Sequence, residues 1–282
     1  MLGAIIGDII GSTFEFSDTK PDYAFELFPE GSSFTDDTLL TLATAKTILG
    51  GSSNYENHYA SMARKYIHEE IDTEQKHKVG FGEMFAQWAR NYNYDPTPYN
   101  SWGNGAAMRV SPIAWANNDH RTVLIESIKS AKCTHNHAEG IKGAVATAMS
   151  IYIARMGGTK KDIKSYIEDV IGYDLFFQTQ VLREKYRFDV SAKGSVPVAI
   201  YCFLESDSFE ETMRLVQYVG GDSDTTGAIA GGIAEAFFGI DSEVETKALT
   251  ILEDHEPELY KLYIQFREEV GFKKQQSFKR WW

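Results

Sequence analysis

The sequence predicts an all-α fold, a compact bundle of crossing helices in a single domain. Apolar residues recur at three- and four-residue intervals through most of the chain, and alternating strand patterns are almost absent. With 282 residues, 43% of them apolar and 13% aromatic, the chain can bury one large core, which excludes a disordered or fibrous protein. Glycine, proline and asparagine gather in a few connecting stretches rather than being scattered through the periodic ones.

The first element runs from Met1 to Gly11 and reads as a buried helix. Gly3, Gly7 and Gly11 recur every four residues, so one face lacks side chains and lets another helix come close. The stretch lacks the basic start of a signal peptide and carries Asp8 in its middle. Further helices are expected at about 37–49, 54–69, 80–92, 120–131, 137–156, 160–171, 196–205, 208–218, 224–238, 242–252 and 256–270. The longest connections, about 13–34, 93–104 and 173–195, are where function is expected, because long loops in a compact domain often carry it. No repeat or shift of composition marks a boundary, so residues 1–270 are read as one domain. Residues 271–282 form a basic and aromatic tail, more readily packed on its own domain than offered to a partner.

The formal net charge is −12, and no run of Lys or Arg forms a stripe that would neutralise a phosphate backbone. General nucleic-acid binding is excluded, although a nucleotide-sized ligand, even one attached to a nucleic acid, needs only a local site. Cys133 and Cys202 are too few for a disulfide scaffold and suit a reducing compartment, so a cytoplasmic location is expected. No stretch approaches the roughly 18–20 apolar residues of a membrane span. A monomer is the default expectation.

Two segments carry the chemistry. Thr35-Asp36-Asp37-Thr38 precedes the apolar run Leu39 to Ala43, so Thr35 stands at an N-cap position with two acids in the first helical turn. Capping alone would explain that pattern. Gly220-Gly221-Asp222-Ser223-Asp224-Thr225-Thr226-Gly227 is a second such start, and capping explains it less well: it needs one acceptor, and here two carboxylates and a hydroxyl follow a Gly-Gly turn. If the starts face each other, four carboxylates share one volume, and a cation would relieve their repulsion. A ligand set made only of oxygen suits Mg²⁺ or Mn²⁺ better than Zn²⁺. Cys133, His135 and His137 lack the second ligand pair of a zinc site.

With their surroundings, these residues resemble the ADP-ribosylglycohydrolase family, whose founding member removes ADP-ribose from an arginine of dinitrogenase reductase. The resemblance spans nearly the whole chain. It rests on Gly7-Asp8-x-x-Gly11-x-x-x-Glu15, Thr35 to Thr38, Gly103-Asn104-Gly105-Ala106-Ala107-Met108-Arg109, Thr134-His135-Asn136-His137, Ser195-Val196-Pro197 and Gly220 to Gly227, in family order. Ser223 replaces the Thr that is frequent between the last two acids. The resemblance implies a compact, nearly all-helical protein with two divalent cations, Mg²⁺ or Mn²⁺, held by Thr35, Asp36, Asp37, Asp222, Asp224 and Thr225. It also implies that Glu15 stands beside the metals and the scissile bond.

The implied reaction is hydrolysis of the bond between ADP-ribose and an acceptor, either a protein side chain such as arginine or a small-molecule conjugate, with Glu15, Asp36 and Asp37 as catalytic acids. Gly103, Asn104 and Gly105 would let backbone amides approach a diphosphate, or they are an ordinary turn. Ser101 could donate to the same phosphates, and Trp102 could pack on adenine or ribose or lie in the core. Arg109 could pair with phosphate, hold one of the acids or make a structural ion pair. His135, in the resemblance, helps to hold the diphosphate. Two other readings remain: a metal phosphohydrolase of a nucleotide diphosphate, and a catalytically silent ADP-ribose-binding relative.

Overall fold

The computed structural model describes residues 1–15, 17, 19–67, 80–271 and 278–282. The chain forms α1 (Leu2–Gly11), α2 (Asp36–Leu49), α3 (Tyr55–Ile67), α4 (Glu83–Asn91), α5 (Gly105–Met108), α6 (Ser111–Ala116), α7 (His120–Lys132) and α8 (Ala138–Arg155). It continues with α9 (Lys160–Ser165), which runs on as a π-helical turn over Tyr166–Ile171, then α10 (Thr179–Lys185), α11 (Ala192–Leu204), α12 (Phe209–Val219), α13 (Ser223–Phe238), α14 (Ser242–His255) and α15 (Pro257–Val270). No β-strand occurs among the described residues, and the one isolated bridge joins Gly103 to Ser191. The all-α expectation therefore holds.

The elements differ from expectation in a few places. Three short helices, α5, α6 and α10, are not among the expected ones, because four to seven residues are too few to show a helical period. α11 begins at Ala192, ahead of the expected 196. Ser191 caps it by accepting from the Gly194 amide, and Pro197 lies inside the helix instead of opening it. Residues 68–69 of the expected helix 54–69, residues 16 and 18 of the loop 13–34, and residues 272–277 of the tail lie outside the described residues. The end of the tail packs on its own domain: the Phe278 amide donates to the Met156 carbonyl, and Trp281 stacks on His120 at 4.6 Å between centroids.

The glycine face of α1 sets the centre of the fold. A Cβ added to Gly3 would stand 2.1 Å from the Gly231 carbonyl oxygen, one on Gly7 2.0 Å from that of Gly227, and one on Gly11 2.3 Å from that of Ser223. Ascending positions on α1 meet descending positions on α13, so the two helices run antiparallel with their backbones in contact. Any side chain here would force them apart. Every residue of α1 is buried, and Glu235 of α13 accepts from the Gly3 amide at 2.8 Å and pairs with the Met1 amine. This packing brings the first turn of α13, with Asp222 and Asp224, beside the last turns of α1.

Candidate active site

Asp8 joins the two acidic helix starts. Buried in the apolar α1, its carboxylate accepts from the Thr35 amide at 2.9 Å, the Thr35 hydroxyl at 2.8 Å, the Thr38 amide at 3.0 Å and the Thr38 hydroxyl at 2.5 Å. These bonds bind the start of α2 to α1, while the glycine contact binds the start of α13 to the same helix. The faces that the sequence could only suppose to meet do meet. Asp8 is the residue that sequence reasoning missed; its only local signal is an acid in the middle of an apolar helix.

Carboxylate oxygens of Asp8, Asp37 and Asp224 lie within 4.8 Å of one another, as do those of Glu15, Asp222 and Asp224. Asp224 belongs to both groups. Thr35 caps α2 by accepting from the Asp37 amide, and its hydroxyl is 3.4 Å from both Asp37 Oδ2 and Asp224 Oδ2. The Thr225 hydroxyl stands 3.3 Å from Asp37 Oδ2. Asp222, though at the N-cap of α13, makes no side-chain capping bond; instead it accepts from Asn104 Nδ2 at 2.6 Å. Capping is thus the smaller part of what this second start does.

The electrostatics follow from that crowding. Burial first, and the neighbouring carboxylates next, push the carboxyls of Asp36, Asp37 and Asp224 well above the usual range. Burial also raises Asp8 and Asp222 to about 6, against the pull of their hydrogen bonds, and burial with Asp224 raises Glu15 to about 9. Among the described residues no Lys or Arg pairs with any of these acids, and Asp37 Oδ1 is buried with no hydrogen-bond partner. A crowded, all-oxygen set with an orphaned buried oxygen fits a hard divalent cation.

Of these acids all but Asp8 line a cavity of about 480 Å³, whose wall includes Glu15, Asp36, Asp37, Asp222, Asp224 and Thr225. Thr35 is not part of that wall and sits behind it at the helix start. Ser101, Trp102, Gly103, Asn104, Gly105, Arg109 and His135 line it as well, so every other residue expected at the site lines the same cavity. Trp102 is half exposed and does not belong to the core.

Two amides of the Gly-Asn-Gly segment are used within the protein. The Gly103 amide donates to Ser101 Oγ and the Asn104 amide to the Val190 carbonyl, so neither is directed at a ligand. The antiparallel bridge to Ser191 causes this by drawing the segment onto the start of α11. Ser195 then acts through Asn104: its hydroxyl donates to the Ser191 carbonyl at 2.7 Å and accepts from Asn104 Nδ2 at 3.1 Å. What the glycines leave is room. A Cβ on Gly105 would stand 3.0 Å from His135 Nε2.

Arg109 holds none of the acids. It is fully buried, with its guanidinium 3.8 Å from the centre of the Tyr59 ring, and its Nη2 donates to the Ser130 carbonyl and, at 2.7 Å, to Thr134 Oγ1. The same Thr134 Oγ1 lies 2.8 Å from His135 Nδ1. Burial, and then Arg109, hold His135 well below its ordinary pKa, so the ring is neutral. Its Nε2 borders the space above Gly105.

Comparison with known proteins follows the same lines. Residues 1–270 match the family model described as ADP-ribosylglycohydrolase. The chain is 27% identical to human ADP-ribosylhydrolase ARH3, over 87% of this chain and 86% of that one. It is 27% identical to the ADP-ribosyl-[dinitrogen reductase] glycohydrolase of Rhodospirillum rubrum, over 85% and 84%, and 24% identical to the ADP-ribosylarginine hydrolase Tri1 of Pseudomonas putida strain GB-1, over 85% and 70%. A solved structure described as an ADP-ribosylglycohydrolase-related protein complex shares the fold with a TM-score of 0.68 at 22% identity, covering 95% of this chain and 97% of that one. With the family model covering all of the helical core, this chain belongs to the ADP-ribosylglycohydrolase family.

Proposed function

We propose that the chain hydrolyses the glycosidic bond between ADP-ribose and an acceptor at a pair of divalent cations, Mg²⁺ or Mn²⁺, held by Thr35, Asp36, Asp37, Asp222, Asp224 and Thr225. The observation that carries this reading is the meeting of two carboxylate groups that share Asp224, a residue in the wall of a cavity large enough for a nucleotide. The named activities of the relatives, which act on ADP-ribosyl bonds, supply the substrate class.

Cleavage at the anomeric carbon builds positive charge on the ribose ring, which a wall of carboxylates stabilises. When bound, the cations supply alignment of the sugar hydroxyls and acidification of water. Glu15, half-buried on the cavity wall beside Asp222 and Asp224, is placed to move a proton at the scissile bond, with Asp36 and Asp37 as the other acids in reach. In the same cavity, His135, in the tautomer that carries its proton on Nε2, and the Ser101 hydroxyl are assigned to donate to the diphosphate. Arg109 supports His135 through Thr134 Oγ1, which both contact, and its Nε and Nη1, buried without hydrogen-bond partners, add positive potential there. Trp102 covers the adenine or ribose from the rim.

Product analysis tests this reading. Hydrolysis of an ADP-ribosyl conjugate should release intact ADP-ribose; AMP with ribose phosphate would assign the acids to phosphoryl chemistry instead. Binding of ADP-ribose with no conjugate cleaved would assign the chain a binding role. In keeping with a water-phase substrate, no helix among the described residues is long and apolar enough to cross a membrane.

A further inference from the structure

A second cavity, of about 540 Å³, adjoins the first and shares Glu15 and Phe188 with it. Its character is opposite. Lys20, Arg183 and Arg187 line it, and among the described residues none of the three is paired with a carboxylate. Lys20 Nζ donates to the carbonyls of Leu182, Arg183 and Tyr186 at the end of α10. Arg183 donates to the carbonyls of Lys20, Pro21 and Tyr218. Arg187, which is exposed, uses only Nη1 on the protein, for the Glu184 and Tyr186 carbonyls. Carbonyl partners orient these cations without neutralising them, in a protein whose net charge is −12.

Resting on the reading of the first cavity as the ADP-ribose site, we propose that this second cavity is the acceptor subsite and that it selects protein acceptors carrying carboxylate or phosphate groups next to the ADP-ribosylated residue. The position follows from Glu15, which stands at the scissile bond in that reading and also in the wall of the basic cavity. An acceptor leaving the anomeric carbon on the Glu15 side enters it directly. Partial burial pushes the Lys20 ammonium down to about 8, and Arg187 and Arg183 add to that shift. A local cluster of three cations suits one or two anionic groups on a peptide better than the continuous backbone of a nucleic acid, which the strongly negative remainder of the surface repels.

The experiment compares turnover of ADP-ribosylated peptides that differ only in their flanks, acidic (Asp/Glu), phosphoserine, neutral (Asn/Ala) or basic (Lys), with a small ADP-ribosyl conjugate and an ADP-ribosylated oligonucleotide alongside. Wild-type kcat/KM should be about fivefold higher for acidic or phosphorylated flanks than for neutral ones, as expected for an exposed ion pair, and the advantage should shrink as salt is raised. In Arg187→Glu the ratio of acidic to neutral flanks should fall to one or below, whereas Arg187→Lys should keep most of it. Carboxylate and phosphate flanks are read separately, which identifies the preferred anion. Equal turnover of all flanks, an unchanged ratio in Arg187→Glu, or an oligonucleotide preferred in an Arg187-dependent way would each overturn the proposal. Failure of every conjugate, the small one included, would instead overturn the functional reading on which it rests.

Discussion

Asn104 Nδ2 donates to Asp222 Oδ2 at 2.6 Å across 118 positions of sequence, and the same amide group donates to Ser195 Oγ at 3.1 Å. This pair ties the Gly-Asn-Gly segment, the start of α11 and the acidic start of α13 together. Asn104→Ala would leave Asp222 without its orienting donor while removing little buried volume. Outer partners of this kind typically change metal affinity by about 10–100-fold. Titration calorimetry with Mn²⁺ should show a loss in that range, with the helical circular-dichroism signal retained. An unchanged affinity would remove Asn104 from the support of the site.

Asp8 accepts four hydrogen bonds from the first turn of α2. Asp8→Ala leaves those four buried donors without an acceptor, so denaturant unfolding of the metal-free protein should show a loss of about 3 kcal/mol or more. Wild-type stability in this variant would mean that α2 is held by its apolar packing alone.

The contact between α1 and α13 is made by backbone. Gly7→Val places a branched side chain where the Cβ alone would be 2.0 Å from the Gly227 carbonyl oxygen, so the helices must separate, at a cost above about 3 kcal/mol. The variant should be found largely insoluble or with a much lower melting temperature. A melting temperature within a few degrees of wild type would refute the close antiparallel packing.

Metal-free protein should lose stability as the pH rises. The carboxyls of Asp8 and Asp222 stand at about 6 in the folded chain, above their ordinary value near 3.8, so the folded state holds protons that the unfolded state has released. Their contribution is fully present below pH 4 and disappears as the pH passes through about 6. Asp36, Asp37 and Asp224 shift in the same direction and extend the decline upward. Thermal melts in a chelator should therefore fall between pH 4 and 7. Added Mg²⁺ or Mn²⁺ should reverse the fall most strongly at the upper end, where the acids are ionised. A flat profile in the chelator would contradict a mutually repelling cluster.

Much of this arrangement was legible in the sequence, and the reason differs from element to element. The glycines of α1 announce a close helix contact because a four-residue repeat of missing side chains has one geometric meaning. The acidic starts of α2 and α13 announce capping for equally local reasons, and the six family motifs bring them to one site. Asp8 was not legible as a site residue, since all its partners lie 27 and 30 positions away on another element. The partners of Arg109 are hidden for the same reason: nothing local to it signals Thr134 or the Tyr59 ring. The inward use of the Gly103 and Asn104 amides depends on a bridge to Ser191 that no local pattern encodes. Helices α5, α6 and α10 were too short to be seen by period.

In the proposed reading the starts of α2 and α13 form one metal site that cuts an ADP-ribosyl bond. Its most direct test is the rate of free ADP-ribose release from a panel of arginine-, serine- and nucleic-acid-linked conjugates by metal-stripped protein titrated with Mg²⁺ or Mn²⁺, with wild type run beside Asp36→Asn and Asp224→Asn. Release by wild type should require the added metal, and each variant should lose more than about 100-fold, beyond the range set by outer partners, while keeping its helical signal. Release that persists in the chelator, or full metal-dependent release in either variant, would contradict it.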